Sequence, residues 1–298
     1  MERAAMVRAV LLGLLRTMRP HQWVKNLFVV APLFFAREVF DTSRVQLTVA
    51  AFALFCMISS SVYVLNDLAD LESDRAHPVK CKRPLASGRV STNAARITGV
   101  GLLVLGLLGA VLISLPFAAT LVGYLVLNIA YTFKLKRVAY LDVLCIASGF
   151  ELRVIAGTLA AQVPPTTYLL VVTFLLAAFL GFGKRMHELA QGDGAVKQRA
   201  VLQSYQPRLL VALLYITALS TVAVYAMYTL DPATAEAFGT ARLGLSVPFT
   251  LFGVLRFLRL VRNRGDADSP TEQMLRDIPF LVNLGLWAAA VTAILYFG

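Results

Sequence analysis

Apolar residues run along this chain in long blocks, separated by short polar links. Nine blocks are long enough to cross a membrane as helices, at roughly 24–41, 46–66, 95–113, 115–133, 139–161, 165–183, 209–230, 243–261 and 278–297. About 20 mostly apolar residues suffice for one crossing. The pattern predicts an all-α integral membrane bundle of nine transmembrane helices, with residues 1–298 forming a single domain. The first block is the weakest, because Pro32 lies inside it and Lys25 and Asn26 lie near its start. The third and fourth are joined only through Ser114, Leu115 and Pro116, a tight hairpin. Ahead of the blocks, residues 1–19 alternate small apolar runs with Arg8, Arg16 and Arg19. Charge at the far end is wrong for a signal peptide. An amphipathic helix lying on an anionic leaflet fits better, with Trp23 marking the headgroup level.

Composition agrees with this pattern. Of 298 residues, 58% are hydrophobic and 15% charged, against roughly 45–50% and 25% in soluble domains. High aromatic and aliphatic content excludes disorder, and three cysteines cannot build a disulfide scaffold. The net charge of +11 does not indicate a nucleic-acid partner, because a soluble basic domain would not carry this apolar load. Its distribution is more telling. With the N-terminus in the cytoplasm, 24 of the 28 Lys and Arg residues fall on the inside, leaving Arg37, Arg44 and Arg242 outside and Arg153 within a span. Positive residues favour the cytoplasmic side. The expectation is a multi-pass protein of the inner (plasma) membrane, with its C-terminus outside.

The inside links also carry nearly all the unusual chemistry. After the second block comes NDLADLESD, containing Asn66, Asp67, Asp70 and Asp74. On a continuous helix the three aspartates, spaced 3 and then 4, share one face, while Glu72 points away. Like charges on one face repel, and a row of hard oxygen donors suits Mg²⁺ together with substrate phosphates. The plain alternative is a solvated helix end. Lys80, Lys82 and Arg83 follow directly, between Pro78 and Pro84. They read as phosphate contacts beside the acidic row, or simply as positive-inside residues.

Further along lie Asp142 and Arg153, eleven residues apart and close to one helix face, with Glu151 turned away. Ionisable groups within a span are functional candidates by default; a structural ion pair is the bland reading. The sixth block ends in Lys184, Arg185, His187 and Glu188, with Asp193 beyond. This layout mirrors the one after the second block, and the two sites are expected to face each other, although Lys184 and Glu188 could simply pair at i,i+4. Cys56, Cys81 and Cys145 show no metal spacing. Arg256, Arg259 and Arg262 read as a headgroup cap, and 266–277 as a plain loop. Clustering of ionisable groups on one side argues against a transporter.

NDxxDxxxD after the second membrane helix, with a polar second site after the sixth, resembles the UbiA superfamily of membrane prenyltransferases over almost the whole chain. Tyr131 and Lys134 look like that family's tyrosine–lysine element. A second DxxxD motif is typical of members that transfer a prenyl group; here KRMHEL stands in its place. Together with RPHQWVKN, from Arg19 to Asn26, and DLESDRAHPVKCKRPLASG, the chain is most similar to the decaprenyl-phosphate phosphoribosyltransferase branch. The resemblance implies a UbiA-like fold with a cytoplasm-facing site. It implies a Mg²⁺-dependent glycosyltransferase moving 5-phosphoribose from 5-phosphoribosyl 1-diphosphate to decaprenyl (polyprenyl) phosphate, for cell-wall arabinan precursors. The alternative is prenyl transfer from a prenyl diphosphate to an aromatic acceptor. On the first reading Asp67, Asp70 and Asp74 hold the metal, and Asp67, Asp70 and Lys134 are catalytic. Substrate would be bound by Lys25, Asn66, Tyr131, Lys80, Lys82, Arg83, Asp142, Arg153, Lys184, Arg185 and Glu188. A homo-oligomer is left open.

Overall fold

In the computed structural model residues 2–191, 200–263 and 269–298 are described, and every regular element among them is helical. The chain opens with α1 (Glu2–Met18), continues through a 3-10 segment (Pro20–Val29) and reaches α2 (Ala31–Phe35). Residues 24–41, the first predicted span, are therefore short pieces rather than one long helix. The reason is local. Pro20 opens the 3-10 segment, Pro32 sits in the first turn of α2, and Arg37 has φ 63° just beyond it. Asn26 is buried and needs partners, which it finds in Cys56 Sγ (3.2 Å) and Ser59 Oγ (3.0 Å).

The next elements are α3 (Thr42–Ala69), α4 (Leu71–Ala76), α5 (Thr92–Ile113), α6 (Leu115–Phe133), α7 (Leu141–Ala161) and α8 (Thr167–Ala190). They are followed by α9 (Pro207–Leu230), α10 (Pro232–Phe238), α11 (Val247–Arg262), α12 (Pro270–Met274) and α13 (Ile278–Phe297). Among the described residues, eight helices are long and apolar enough to cross a membrane, counting α11 with the 3-10 turn that leads into it. This is an all-α, multi-pass membrane protein. Only Ser114 separates α5 from α6, as the short link predicted. Polar N-caps mark several starts: Asp41 accepts from the Ser43 and Arg44 amides, Ser91 from Ala94 and Asp277 from Phe280, satisfying amides a helix leaves unpaired. Of the predicted loop 266–277, residues 266–268, like Asp193, lie outside the described residues, while Pro270–Met274 is a short helix closed by a Ser269–Glu272 capping box.

The chain divides into two compact units. The first comprises residues 1–133 and 152–164. Its core gathers Val29, Phe55, Ile58, Phe117, Leu121 and Ala156. Within it, α3 and α5 lie close because Gly106 leaves room for Ile58, and Ser61 Oγ donates to the Gly99 carbonyl at 2.8 Å. Small residues and side-chain hydrogen bonds are what hold helices together in lipid. At Gly157 of α7 the approach is tighter still: a Cβ there would stand 2.1 Å from the Val29 carbonyl oxygen.

The second unit comprises residues 134–151 and 165–298. Its core includes Val143, Phe179, Phe182, Leu210, Leu214 and Phe257. Tyr225 hydrogen-bonds Ser246 (2.7 Å) and accepts from Trp287 Nε1 (3.0 Å), tying α9 and α13 to the turn before α11.

Candidate functional site

The aspartate row is organised differently from the continuous face that the spacing predicts. Helix α3 ends at Ala69, Asp70 forms the junction, and α4 begins at Leu71. Asp67 and Asp74 are both buried, while Asp70 is half-buried at the break. Two carboxylates converge on one cation: Arg83 Nη1 donates to Asp67 Oδ1 at 3.2 Å and to Asp74 Oδ2 at 2.5 Å. Lys80 Nζ lies 3.9 Å from Asp74 Oδ1. Among the described residues no three His, Cys, Asp or Glu side chains form a ready metal-ligating group.

The loop after α4 delivers these cations because it turns back under the helix break. Pro84, Leu85 and Val90 are buried, Leu85 and Val90 against Val64 of α3, which anchors the segment that holds Arg83. Lys82 is exposed, its carbonyl accepting from Arg89. A third cation was not foreseen. Arg19, read from the pattern as part of an amphipathic surface helix, donates to Asp67 Oδ1 and lies over the Tyr63 ring, 5.2 Å from its centroid. Its backbone is left-handed (φ 55°, ψ 60°) immediately before Pro20, where proline already restricts the preceding residue. Such a conformation survives only where its surroundings enforce it. A cleft of about 330 Å³ opens here, lined by Arg16, Arg19, His21, Gln22, Asp67, Arg83 and Pro84.

Asn66 accepts a hydrogen bond from Thr132 at the end of α6, one residue beyond the half-buried Tyr131. Lys25 is exposed on the 3-10 segment. Arg153 is buried inside the first unit. Its Nε donates to Asn26 Oδ1 (2.9 Å) and its Nη2 to Tyr124 Oη (3.0 Å), and its guanidinium stacks over the Phe55 and Tyr124 rings.

In the second unit, Asp142 is fully buried at the start of α7. Arg185 Nε meets its Oδ2 at 2.9 Å, and Tyr205 donates to its Oδ1. Arg185 also pairs with Glu188, at i,i+3. Burial, then the bond to the Asp142 carboxylate, pushes the Tyr205 phenol well above its ordinary range. His187 is buried and contacts Gln191 (3.0 Å). Lys184 is half-buried and Lys134 exposed. Tyr205 carried no local signal, since it lies 63 residues from Asp142. Arg19 did carry one, an arginine directly before a proline at the entry to the membrane region.

A family model described as the UbiA prenyltransferase family matches residues 27–277. Among known proteins, the decaprenyl-phosphate phosphoribosyltransferase of Mycolicibacterium smegmatis is 33% identical over 96% of this chain and 93% of its own length. The enzyme of the same name from Corynebacterium glutamicum is 33% identical over 95% and 87%. Among solved structures, a UbiA homolog from Archaeoglobus fulgidus bound to DMAPP and Mg²⁺ superposes with a TM-score of 0.72 at 20% identity, covering 95% of this chain and 99% of that one. The fold is thus shared along nearly the full chain.

Proposed function

We propose, from the premise that this chain belongs to the UbiA prenyltransferase family, that it transfers 5-phosphoribose from 5-phosphoribosyl 1-diphosphate to decaprenyl phosphate or a similar polyprenyl phosphate. The observation that most supports this reading is the 33% identity, over 96% of the chain, to a relative named decaprenyl-phosphate phosphoribosyltransferase. The full length acts as one UbiA-like domain in the plasma membrane, with the N-terminus and the site on the cytoplasmic side.

The donor set suits a divalent cation. Two buried carboxylate oxygens already converge on one positive nitrogen, and Mg²⁺ takes one or two carboxylates and completes its shell with phosphates. Asp67 and Asp74, with Asp70 at the break between them, would hold it. When bound, Mg²⁺ draws charge from the donor diphosphate and makes it a better leaving group. Arg83, Lys80 and Lys82 then face the diphosphate oxygens, where bidentate guanidinium contacts fix orientation as well as charge. In the reaction the bond from C1 to diphosphate breaks and a bond from C1 to a phosphate oxygen of the lipid forms. An acceptor phosphate is already anionic, so it needs positioning cations rather than a base. Lys134 and Lys184 are assigned to that task, with Arg185, held by Asp142 and Glu188, and Lys25, Asn66, Tyr131 and Arg153 shaping the sites.

The test uses the full-length protein in vesicles with labelled 5-phosphoribosyl 1-diphosphate, decaprenyl phosphate and Mg²⁺. A labelled anionic glycolipid is expected. Absence of that product, together with transfer from a prenyl diphosphate to an aromatic acid, would overturn this reading in favour of prenyl transfer.

A further inference from the structure

Arg256, Arg259, Arg262 and Arg276 line one cleft of about 710 Å³ in the second unit. The first three lie on the last turns of α11, and the fourth directly precedes Asp277, the N-cap of α13. The only carboxylate lining the cleft among the described residues is Asp277, and it is already engaged. It takes a two-pronged bond from Arg256 (Nε to Oδ1 2.9 Å, Nη2 to Oδ2 2.7 Å) and also caps α13 through the Phe280 amide. The Arg256 bond holds the Asp277 carboxyl below its ordinary range.

Positive-inside topology needs cations, but it does not need them gathered around one concavity. Guanidiniums held together repel, and the repulsion is relieved when an anion sits among them. Arginine forks match phosphate oxygens in particular. The α11 C-terminus also carries the negative end of the helix dipole, which cations there offset. The lining residues have exposed apolar neighbours in sequence: Leu255 precedes Arg256, and Leu275 and Ile278 flank the Arg276–Asp277 pair. A basic cleft bordered by apolar side chains at the end of two membrane helices fits an amphiphile, with its phosphate among the arginines and its chains along the apolar border.

We propose that this cleft binds the phosphate headgroup of an anionic membrane phospholipid. Its anchors are the exposed Arg259 and Arg262, with Arg256 held in place by Asp277. The site is separate from the residues assigned to phosphoribosyl transfer, so the proposal stands whichever group the enzyme transfers.

The experiment is a thermal melt of the full-length protein in vesicles of phosphatidylcholine alone, or of phosphatidylcholine with phosphatidylglycerol. The same melt is run on Arg259→Gln/Arg262→Gln, and with soluble glycerol phosphate added to phosphatidylcholine vesicles. Binding to the folded state raises its stability; a rise of about 2–4 °C per kcal/mol gained is the expected scale. The prediction is a rise with phosphatidylglycerol in the native chain, its loss in the double variant, and no rise with glycerol phosphate. An equal rise in both proteins overturns the proposal. A rise with glycerol phosphate that phosphatidylglycerol does not exceed overturns the lipid source. A variant that melts low in phosphatidylcholine alone, with its lipid response intact, would mean that the arginines are neutralised from within the chain, and also overturns it.

Discussion

Asp67 and Asp74 accept hydrogen bonds from the same nitrogen, Nη1 of Arg83, although the helix break at Asp70 lies between them. Two buried carboxylates brought to one point would repel without a cation there. Arg83 supplies one, and Arg19 adds a second at the same Asp67 oxygen, Oδ1. The same point is where hard oxygen donors could receive a divalent ion, so the arginine and the ion have overlapping roles.

Arg83→Gln should therefore destabilise the metal-free protein. Breaking a paired buried charge is costly, but Arg83 is about one-third exposed and Arg19 remains, so the loss should be about 1–2 kcal/mol. Melting with and without added Mg²⁺ checks this. The ion should recover more stability in the variant than in the native chain. An identical Mg²⁺ response in both would separate Arg83 from the ion site.

Gly157→Ala should disturb the first unit without touching any charged group. The added Cβ would fall 2.1 Å from a backbone oxygen, which no side-chain rotation relieves. Overpacking of this kind costs about 1–3 kcal/mol or more. Thermal unfolding in detergent would register the loss, and an unchanged melting temperature would mean that the 3-10 segment does not approach α7 this closely.

Arg153→Lys should lose more stability than a conservative exchange suggests. Lysine keeps the charge but cannot reach Asn26 and Tyr124 together while stacking on two rings, as the guanidinium does. A loss of about 1–3 kcal/mol is expected. A variant with native melting temperature but weaker substrate binding would instead assign Arg153 chiefly to the substrate.

Alkaline pH should loosen the anchor at Tyr205. Its phenol titrates above the ordinary value in the folded chain, so the folded state keeps a proton that the unfolded state releases. That contribution is complete below about pH 10 and falls as pH rises beyond it. Tyr205→Phe should show a shallower decline in melting temperature over the same alkaline range. Equal slopes would remove Tyr205 from the account.

Eight of the nine predicted spans coincide with long apolar helices, because membrane helices announce themselves through uninterrupted hydrophobicity. The first block misled for a physical reason. Apolar content there does not report helix continuity, since exposed Val24 and Leu27 alternate with buried Val29 and Leu33 in short pieces, and it does not reveal that Asn26 turns inward to meet Cys56, Ser59 and Arg153. The acidic motif was visible from spacing, yet the break at Asp70 was not, since nothing in LADLES forbids helix. Long-range partnerships were invisible in the same way. Asn26 and Arg153 are 127 residues apart, and Asp142 meets Arg185 and Tyr205 from other elements.

The most direct measurement is the rate of phosphoribosyl transfer to decaprenyl phosphate in Asp67→Asn, Asp74→Asn and the double variant. If the two carboxylates hold one cation on the donor diphosphate, each single change should cost about a hundredfold or more. The double variant should fall little further, because groups acting as a unit are not additive. Near-native turnover in either single variant, or losses that multiply in the double, would contradict a shared metal site.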